Sequence, residues 1–383
     1  MNITVLSRGP DLYSTRRLVE AAEARGHAVQ VCDTLEFSMH LEQGRPTLRY
    51  RNEPFDPPDA VIPRIGASIT FYGCAVVRQF EQMGVFTLSG SHAIGVSRDK
   101  LRSLQMLSRF AVGMPNTAFV RRRDQVEDAI AQVGGAPVIV KVLEGTQGVG
   151  VILAETQKTA QAIIETLQMA KQNVLIQKFV AEAAGSDIRA FVVGGKVVAA
   201  MRRTAKEGEY RSNVHQGGKA KRADLSPDFE KTAIGAAQIM GLRVAGVDML
   251  EGENGPKVME VNSSPGLEGI EGATGIDIAD TIIAHLEDEV PFPDLDIRQR
   301  LTLRSGYGVT EIVIGPTSPL ANRTVRSANL SAKDVRILTI IRDDESFPNP
   351  NPDREMLPGD RVLCFGSAAA IRTLIPPRSI IRG

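Results

Sequence analysis

Oxygen ligands at strand-like spacing are the first chemistry visible in this chain. Gly246-Val247-Asp248-Met249 and Met259-Glu260-Val261-Asn262 flank the turn formers Gly252-Glu253-Asn254-Gly255-Pro256, the pattern of a β-hairpin. Side chains alternate along a strand, so Glu260 and Asn262 share one face and Val261 takes the other. With the hairpin centred near Asn254, Asp248 falls opposite Glu260, and three oxygen ligands converge. Hard cations such as Mg²⁺ favour such donors and complete their shells from phosphates and water. The bland alternative is a solvated polar hairpin face, and the residues upstream weigh against it.

Those residues supply a nucleotide-binding apparatus. Ala136-Pro137-Val138-Ile139-Val140-Lys141 is a β-branched run ending in a lysine. It leads into Glu144-Gly145-Thr146-Gln147-Gly148-Val149-Gly150 and a further strand, Val151-Ile152-Leu153. Strand, glycine-rich turn and strand make a flap in which the amides at Gly145 and Gly148 can face phosphate oxygens. Neither the Walker lysine motif nor the dinucleotide fingerprint is present. Alone, such a turn is more often a simple hairpin; Lys141 at its base and the downstream carboxylates reverse those odds. The strand through Gln177, Lys178, Phe179 and Val180 then breaks at small residues and resumes at Asp187-Ile188-Arg189. Its free backbone groups suit an adenine edge, and Asp187 suits ribose hydroxyls. Arg189, Arg202, Arg203, Lys206 and Arg211 follow within a short span that closes at Arg211-Ser212-Asn213. Guanidinium groups bind carboxylates and phosphates bidentately, so this basic cluster is expected to face anionic ligands.

The elements that must hold these groups read as α/β throughout. A strand over 2–6, a helix from Tyr13 to Arg25 stopped by Gly26, strands 28–32 and 60–64, and a helix from Thr70 to Met83 make a first unit, 1–96. A helix over 98–110 leads into the flap unit, 97–180, and a metal- and substrate-binding unit occupies 181–290, with helices over 228–241 and 276–288. The stretch from Glu287 to Asp294 is acidic and proline-containing, and reads as a linker. Beyond it lies a smaller α/β unit, 300–380, with strands at Val309–Ile314, Val335–Ile341 and 361–365, a short helical segment from Ser318 to Leu330 and a helix over 367–375.

In this order, Lys100, Lys141, the flap, the hinge, Asp187, Arg211-Ser212-Asn213, Asp248 and Glu260-Val261-Asn262 resemble the ATP-grasp ligases, and most closely the RimK-type α-L-glutamate ligases. Runs such as Ala60-Val61-Ile62-Pro63-Arg64-Ile65-Gly66 and Asn262-Ser263-Ser264-Pro265-Gly266 carry the likeness, which covers about residues 1 to 285. It implies an ATP-grasp fold behind a Rossmann-like pre-ATP-grasp domain. Lys178 departs from the group's usual acidic residue, and Gln216 stands where a basic residue is common. The segment after 305 resembles the C-terminal domain of the RCK (TrkA-type) regulators, through its "SPL", "PGDRVL" and "FGS" runs.

The first resemblance implies an ATP-driven ligation of L-glutamate to a carboxylate acceptor through an acyl phosphate, yielding ADP. In that group one acceptor is the C-terminus of a small-subunit ribosomal protein; a peptide or small metabolite is the nearer alternative. Two Mg²⁺ ions, or Mn²⁺ in their place, would lie at Asp248, Glu260 and Asn262, and Lys100 and Lys141 would contact phosphate oxygens. Arg203 or Arg211 would steady the acyl phosphate and the oxyanion. No Ser/His/Asp or Cys/His constellation competes with this reading. Asp248→Asn and Glu260→Gln are each expected to cost turnover and leave folding little affected. The rival from another class is a non-catalytic ATP sensor relaying occupancy to the C-terminal unit. That unit is expected to drive homo-oligomer formation or to take a small regulatory ligand.

Bulk properties fit an intracellular enzyme. The 383 residues carry no formal net charge, so no global field draws nucleic acid or membrane. No apolar stretch reaches the length of a membrane span, and the start is already a strand rather than a signal peptide. Cys32, Cys74 and Cys364 are scattered, which suits a reducing cytoplasm.

Overall fold

The computed structural model describes residues 1–43, 45–143, 150–183, 185–206, 218–290, 307–343, 345–367, 370–371 and 373–374. The chain divides into two compact units, Met1–Pro293 and Asp294–Gly383. No helix among the described residues is long and apolar enough to cross a membrane.

The first unit opens on a parallel sheet ordered Ala28–Cys32, Asn2–Leu6, Ala60–Pro63, Phe86–Thr87. Its central strands are apolar on both faces because helices cover both. Ile3, Val5, Ala60 and Ile62 pack with Leu18 and Ala22 of the helix Tyr13–Ala24 and with Ile282 and Leu286 of the helix Ile278–Glu289. On the opposite face, Leu6 and Val61 pack with Val76, Val77 and Phe80 of the helix Thr70–Gln82. The chain adds Ala28–Cys32 on one side of Asn2–Leu6 and then Ala60–Pro63 on the other, which puts the two crossovers on opposite faces, as in doubly wound sheets. Sequence reading missed a three-stranded meander, Phe37–Glu42, Arg45–Tyr50 and Glu53–Pro54, seated by Phe37 against Phe80 with ring centroids 5.6 Å apart.

Two antiparallel sheets follow. The flap sheet runs Val151–Ala154, Val138–Val142, Val174–Lys178, Thr117–Phe119, backed by the helices Val126–Gln132 and Gln157–Met169. The larger sheet runs Lys219–Arg222, Lys196–Thr204, Ser186–Val193, Val244–Gly252, Gly255–Asn262. It rests on the helix Pro227–Met240, whose Gly241 closes the last turn at φ 75°. Instead of a single helix over 98–110, there are two, Ser91–Arg98 and Lys100–Arg109. They part at Asp99, whose carboxylate caps the second by accepting from the Arg102 amide at 3.0 Å. The proposed linker also begins later than read, because Glu287, Asp288 and Glu289 finish the helix Ile278–Glu289, where Glu287 holds Arg25 at 2.7 Å and His27 at 2.8 Å.

In the second unit an antiparallel sheet is ordered Tyr307–Val313, Arg361–Ser367, Val335–Arg342, Glu345–Pro348. Ile312, Val335, Ile340, Val362 and Cys364 form its core. The helical segment expected from Ser318 to Leu330 is shorter, a helix at Val325–Ala328 followed by a 3₁₀ turn at Leu330–Lys333. Of the helix expected over 367–375, Ser367 ends a strand, 370–371 are helical and 373–374 form a turn, while 368, 369, 372 and 375 lie outside the described residues.

Candidate active site

The hairpin has the register its sequence predicts: Asp248 pairs with Glu260, and Gly246 with Asn262. A bulge follows Asp248, the kind of irregularity that re-aims side chains at functional edges. Gly246 is required there, since a Cβ on it would lie 2.8 Å from the Pro265 ring, and its absence lets the turn after Asn262 fold down over the strand. Asn262 Nδ2 donates to Glu260 Oε1 at 3.1 Å. Asp248 is 2% exposed, whereas Glu260 faces solvent.

Asp248 is also one corner of a buried ion-pair quartet. Cross-strand register places Arg189 opposite Asp248, and Arg203 opposite Asp187. Residues 187 and 189 are two apart on one strand, so all four side chains share a face. Arg189 grips Asp248 through Nε and Nη2, both at 2.6 Å. Arg203 reaches Asp187 through Nε at 2.6 Å and Asp248 through Nη2 at 3.0 Å. Burial opposes ionisation of Asp248, and the Arg189 and Arg203 guanidiniums overcome it, holding the carboxyl well below the usual carboxylate range. Asp187 is 4% exposed and paired with Arg203. The arrangement revises one expectation. Asp248 is part of what holds the sheet together, so neutralising it cannot leave folding little affected.

The basic cluster read from the sequence divides between the two faces of the sheet. Arg202 projects opposite to its neighbour Arg203 and pairs with Glu251 and with Ser186 Oγ at 3.3 Å. Lys206 is exposed at the strand's end. Arg211, Ser212 and Asn213, with Gly145 and Gly148 of the flap, lie outside the described residues.

Lys100 and Lys141 come together at the flap's base. Lys100 Nζ donates to the carbonyls of Val142 at 3.1 Å and Leu143 at 3.2 Å, tying its helix to the flap strand. Burial pushes the Lys141 ammonium below its ordinary value; the Glu260 carboxylate opposes that shift and Lys100 adds to it. Lys141 and Glu260 therefore border one electrostatic space.

At the hinge, the Lys178 amide donates to Asn116 O at 2.8 Å and the Phe179 amide to Pro137 O at 3.3 Å. Those two N–H groups are engaged by protein. Gln177 is buried and donates to Thr117 Oγ1 at 2.9 Å. Lys178 Nζ caps the carbonyls of Gly134 at 2.9 Å and Gly135 at 3.1 Å, so the departure from an acidic residue serves the end of a helix.

Two arginines escaped sequence reading as site residues. Arg64 Nη2 donates to Pro265 O at 2.8 Å, beside the turn that follows Asn262, and Arg98 Nη2 donates to Ile65 O at 2.5 Å. The available signal was positional: Arg64 directly follows an apolar parallel strand, where α/β sheets bind ligands.

The donor chemistry fits a hard divalent cation. Two carboxylates and an amide supply oxygen, but no group of three or more His, Cys, Asp or Glu side chains among the described residues could hold a metal alone. An ion here would need oxygens from a phosphate or water, as Mg²⁺ commonly does.

Comparison with known proteins gives the family and its domains. Residues 97–286 match the model of the RimK-like ATP-grasp domain, 1–94 the RimK PreATP-grasp domain, and 309–377 the TrkA-C domain. A probable alpha-L-glutamate ligase of Rhodopirellula baltica is 57% identical over 378 residues, covering 99% of this chain and 93% of that protein. One from Azotobacter vinelandii is 59% identical over 287 residues, 75% of this chain and 95% of that relative. Among solved structures, the ATP-grasp ligase PsnB complexed with a minimal precursor superposes with a TM-score of 0.60 at 22% identity, over 75% of this chain and 97% of that one. The macrocyclase MdnC of Microcystis aeruginosa, bound to its precursor peptide, gives 0.57 at 15%, over 76% and 100%. These structures share the fold.

Proposed function

The chain belongs to the RimK-type ATP-grasp ligase family, and from that premise we propose that it joins L-glutamate through its amine to an acceptor carboxylate, using ATP. The observation that carries this reading is the oxygen set of Asp248, Glu260 and Asn262, fixed by hairpin register in the same electrostatic space as Lys141. The acceptor is a peptide or protein C-terminus, that of a small-subunit ribosomal protein being the one the family likeness implies.

In the proposed reaction an acceptor carboxylate oxygen bonds to the γ-phosphorus as the bond to ADP breaks, leaving an acyl phosphate. The free amine of glutamate then bonds to the acyl carbon, phosphate departs with the C–O electron pair, and the amine's extra proton passes to solvent. Lys100 and Lys141 hold phosphate oxygens, and Gln177 to Val180 border the base. Arg203, with Arg211, steadies negative charge on the acyl group. Asp248, Glu260 and Asn262 would hold two Mg²⁺ ions, or Mn²⁺ ions with the same oxygen preference. When bound, the metal neutralises phosphate charge, and at about 4 Å and an effective dielectric near 20 each unit pair is worth roughly 4 kcal/mol.

Incubating the full-length protein with ATP, Mg²⁺, L-glutamate and peptides bearing a free C-terminus tests this directly. ADP and phosphate should appear in step with product 129 Da heavier per residue added, about the mass of a glutamyl unit. AMP as the stoichiometric product would remove the acyl phosphate, and nucleotide binding without any product would favour the sensor.

The C-terminal unit is assigned a regulatory or oligomerising role. Its core is self-contained, and the Azotobacter relative matches over 287 residues, about the length of the first unit alone. A chain ended at Pro293 should fold, retain turnover within about threefold, and differ in oligomeric state or ligand response, read by light scattering and steady-state rates. A well-folded but inactive truncation would place part of the active site in the removed segment.

A further inference from the structure

Arg64 and Arg98 form a second cationic site that the ATP and metal chemistry leaves unused. Both are largely buried, and neither has a carboxylate partner among the described residues. Each guanidinium offers five N–H groups, yet among the described residues each side chain makes a single hydrogen bond, to Pro265 O and to Ile65 O. Arg98 Nε is buried with no partner, as is Ser263 Oγ on the turn that Arg64 touches. Burial pushes the Arg64 guanidinium down to about 10, and neighbouring Arg98 adds to the shift. Two desolvated like charges side by side are costly, and an anion that satisfies both removes the cost.

Their place in the fold is where such a ligand is expected. Arg64 leaves the carboxyl end of Ala60–Pro63, and the sheet changes winding direction between that strand and Asn2–Leu6. In open α/β sheets the crevice outside the strand ends at such a switch point binds ligands. Across from this strand end lies the turn after Asn262, which Arg64 reaches through Pro265 O. Pro265, which Arg64 touches, packs over Gly246, the cross-strand partner of Asn262, so these arginines adjoin the oxygen set.

We propose that this crevice, lined by Arg64, Arg98 and the Asn262–Gly266 turn, receives a substrate carboxylate. Planar guanidiniums match carboxylate oxygens in pairs, and a site next to the oxygen set brings that carboxylate to the reacting end of ATP. That the bound carboxylate is a substrate of ligation rests on the function proposed above; its binding does not. It comes from glutamate or from the acceptor, and the probes separate the two.

Titration calorimetry on the full-length protein, saturated with Mg²⁺ and a non-hydrolysable ATP analogue, would use L-glutamate and an acidic peptide with a free C-terminus. Each is paired with a control lacking a carboxylate, glutamine or isoglutamine for the first and the amidated peptide for the second. Arg64→Gln and Arg98→Gln should each weaken one of these probes at least about tenfold while the nucleotide shifts less than about twofold. Loss confined to glutamate assigns the site to the amine substrate, and loss confined to the peptide assigns it to the acceptor. Should a glutamine variant fail to fold, Arg64→Lys and Arg98→Lys keep the charge and remove the fork, and the same loss is expected. Unchanged carboxylate affinity in folded variants, equal loss of nucleotide, or no binding of either probe by the wild type would overturn the proposal. Arginine-dependent carboxylate binding in a protein that forms no product would sink the ligase function and leave the crevice standing.

Discussion

Glu260→Gln should cut ligation by at least about a hundredfold and leave thermal stability unchanged, whereas Asp248→Asn should lose both. The two residues pair across one hairpin, but their surroundings differ. Glu260 faces solvent and accepts from Asn262; among the described residues no arginine forms an ion pair with it. Its amide variant removes a charged oxygen ligand and a nearby negative charge that favours the Lys141 and Arg98 cations, but it breaks no ion pair among the described residues. Asp248 is buried between Arg189 and Arg203, so asparagine there strands guanidinium charge. Breaking a buried pair typically costs about 3–5 kcal/mol, which for a unit of this size lowers the melting temperature by on the order of 5–8 °C. Melting curves and phosphate release at saturating Mg²⁺ decide the matter. Near wild-type turnover in Glu260→Gln would sink the metal assignment, and an Asp248→Asn variant as stable as the wild type would show the quartet to be dispensable.

The contrast between these carboxylates marks what the sequence could and could not reveal. The Asp248–Glu260 register was legible because a turn fixes it and alternation over a few residues assigns the faces. The quartet depends on pairing among Ser186–Val193, Lys196–Thr204 and Val244–Gly252, and the helix Pro227–Met240 intervenes before the last of these. No local spacing encodes that register. Alternation did carry one usable signal: Arg202 and Arg203 are adjacent in a strand and so must face opposite ways. The hinge was legible as a strand end, but the acceptors of its amides, Asn116 O and Pro137 O, come from other segments. The meander at 37–54 was hidden by short, largely polar strands whose burial rests on Phe37, Tyr50 and Phe55 packing over Phe80. The break at Asp99 lacked a glycine or proline, and only the capping carboxylate announced it.

Arg203 carries the remaining ambiguity, because one guanidinium is assigned both structure and chemistry. Arg203→Met should lower stability by about 3–5 kcal/mol, since it leaves Asp187 without its 2.6 Å partner and Asp248 with Arg189 alone. The acid limb should move as well. Asp248 titrates below its unfolded value, so its stabilisation is present above about pH 4 and is lost as pH falls toward the depressed folded value. Removing one of the two guanidiniums raises that folded value, and acid unfolding should begin at higher pH. Adding Asp187→Asn to Arg203→Met removes the carboxylate that lost its Arg203 partner and should recover part of the lost stability, a coupling that a double-mutant cycle measures. Turnover should behave differently. If Arg203 steadies the acyl phosphate, the double variant remains slow by about two orders of magnitude, with ATP binding nearly intact. Recovery of turnover along with stability would confine Arg203 to holding the sheet and leave the acyl group to Arg211.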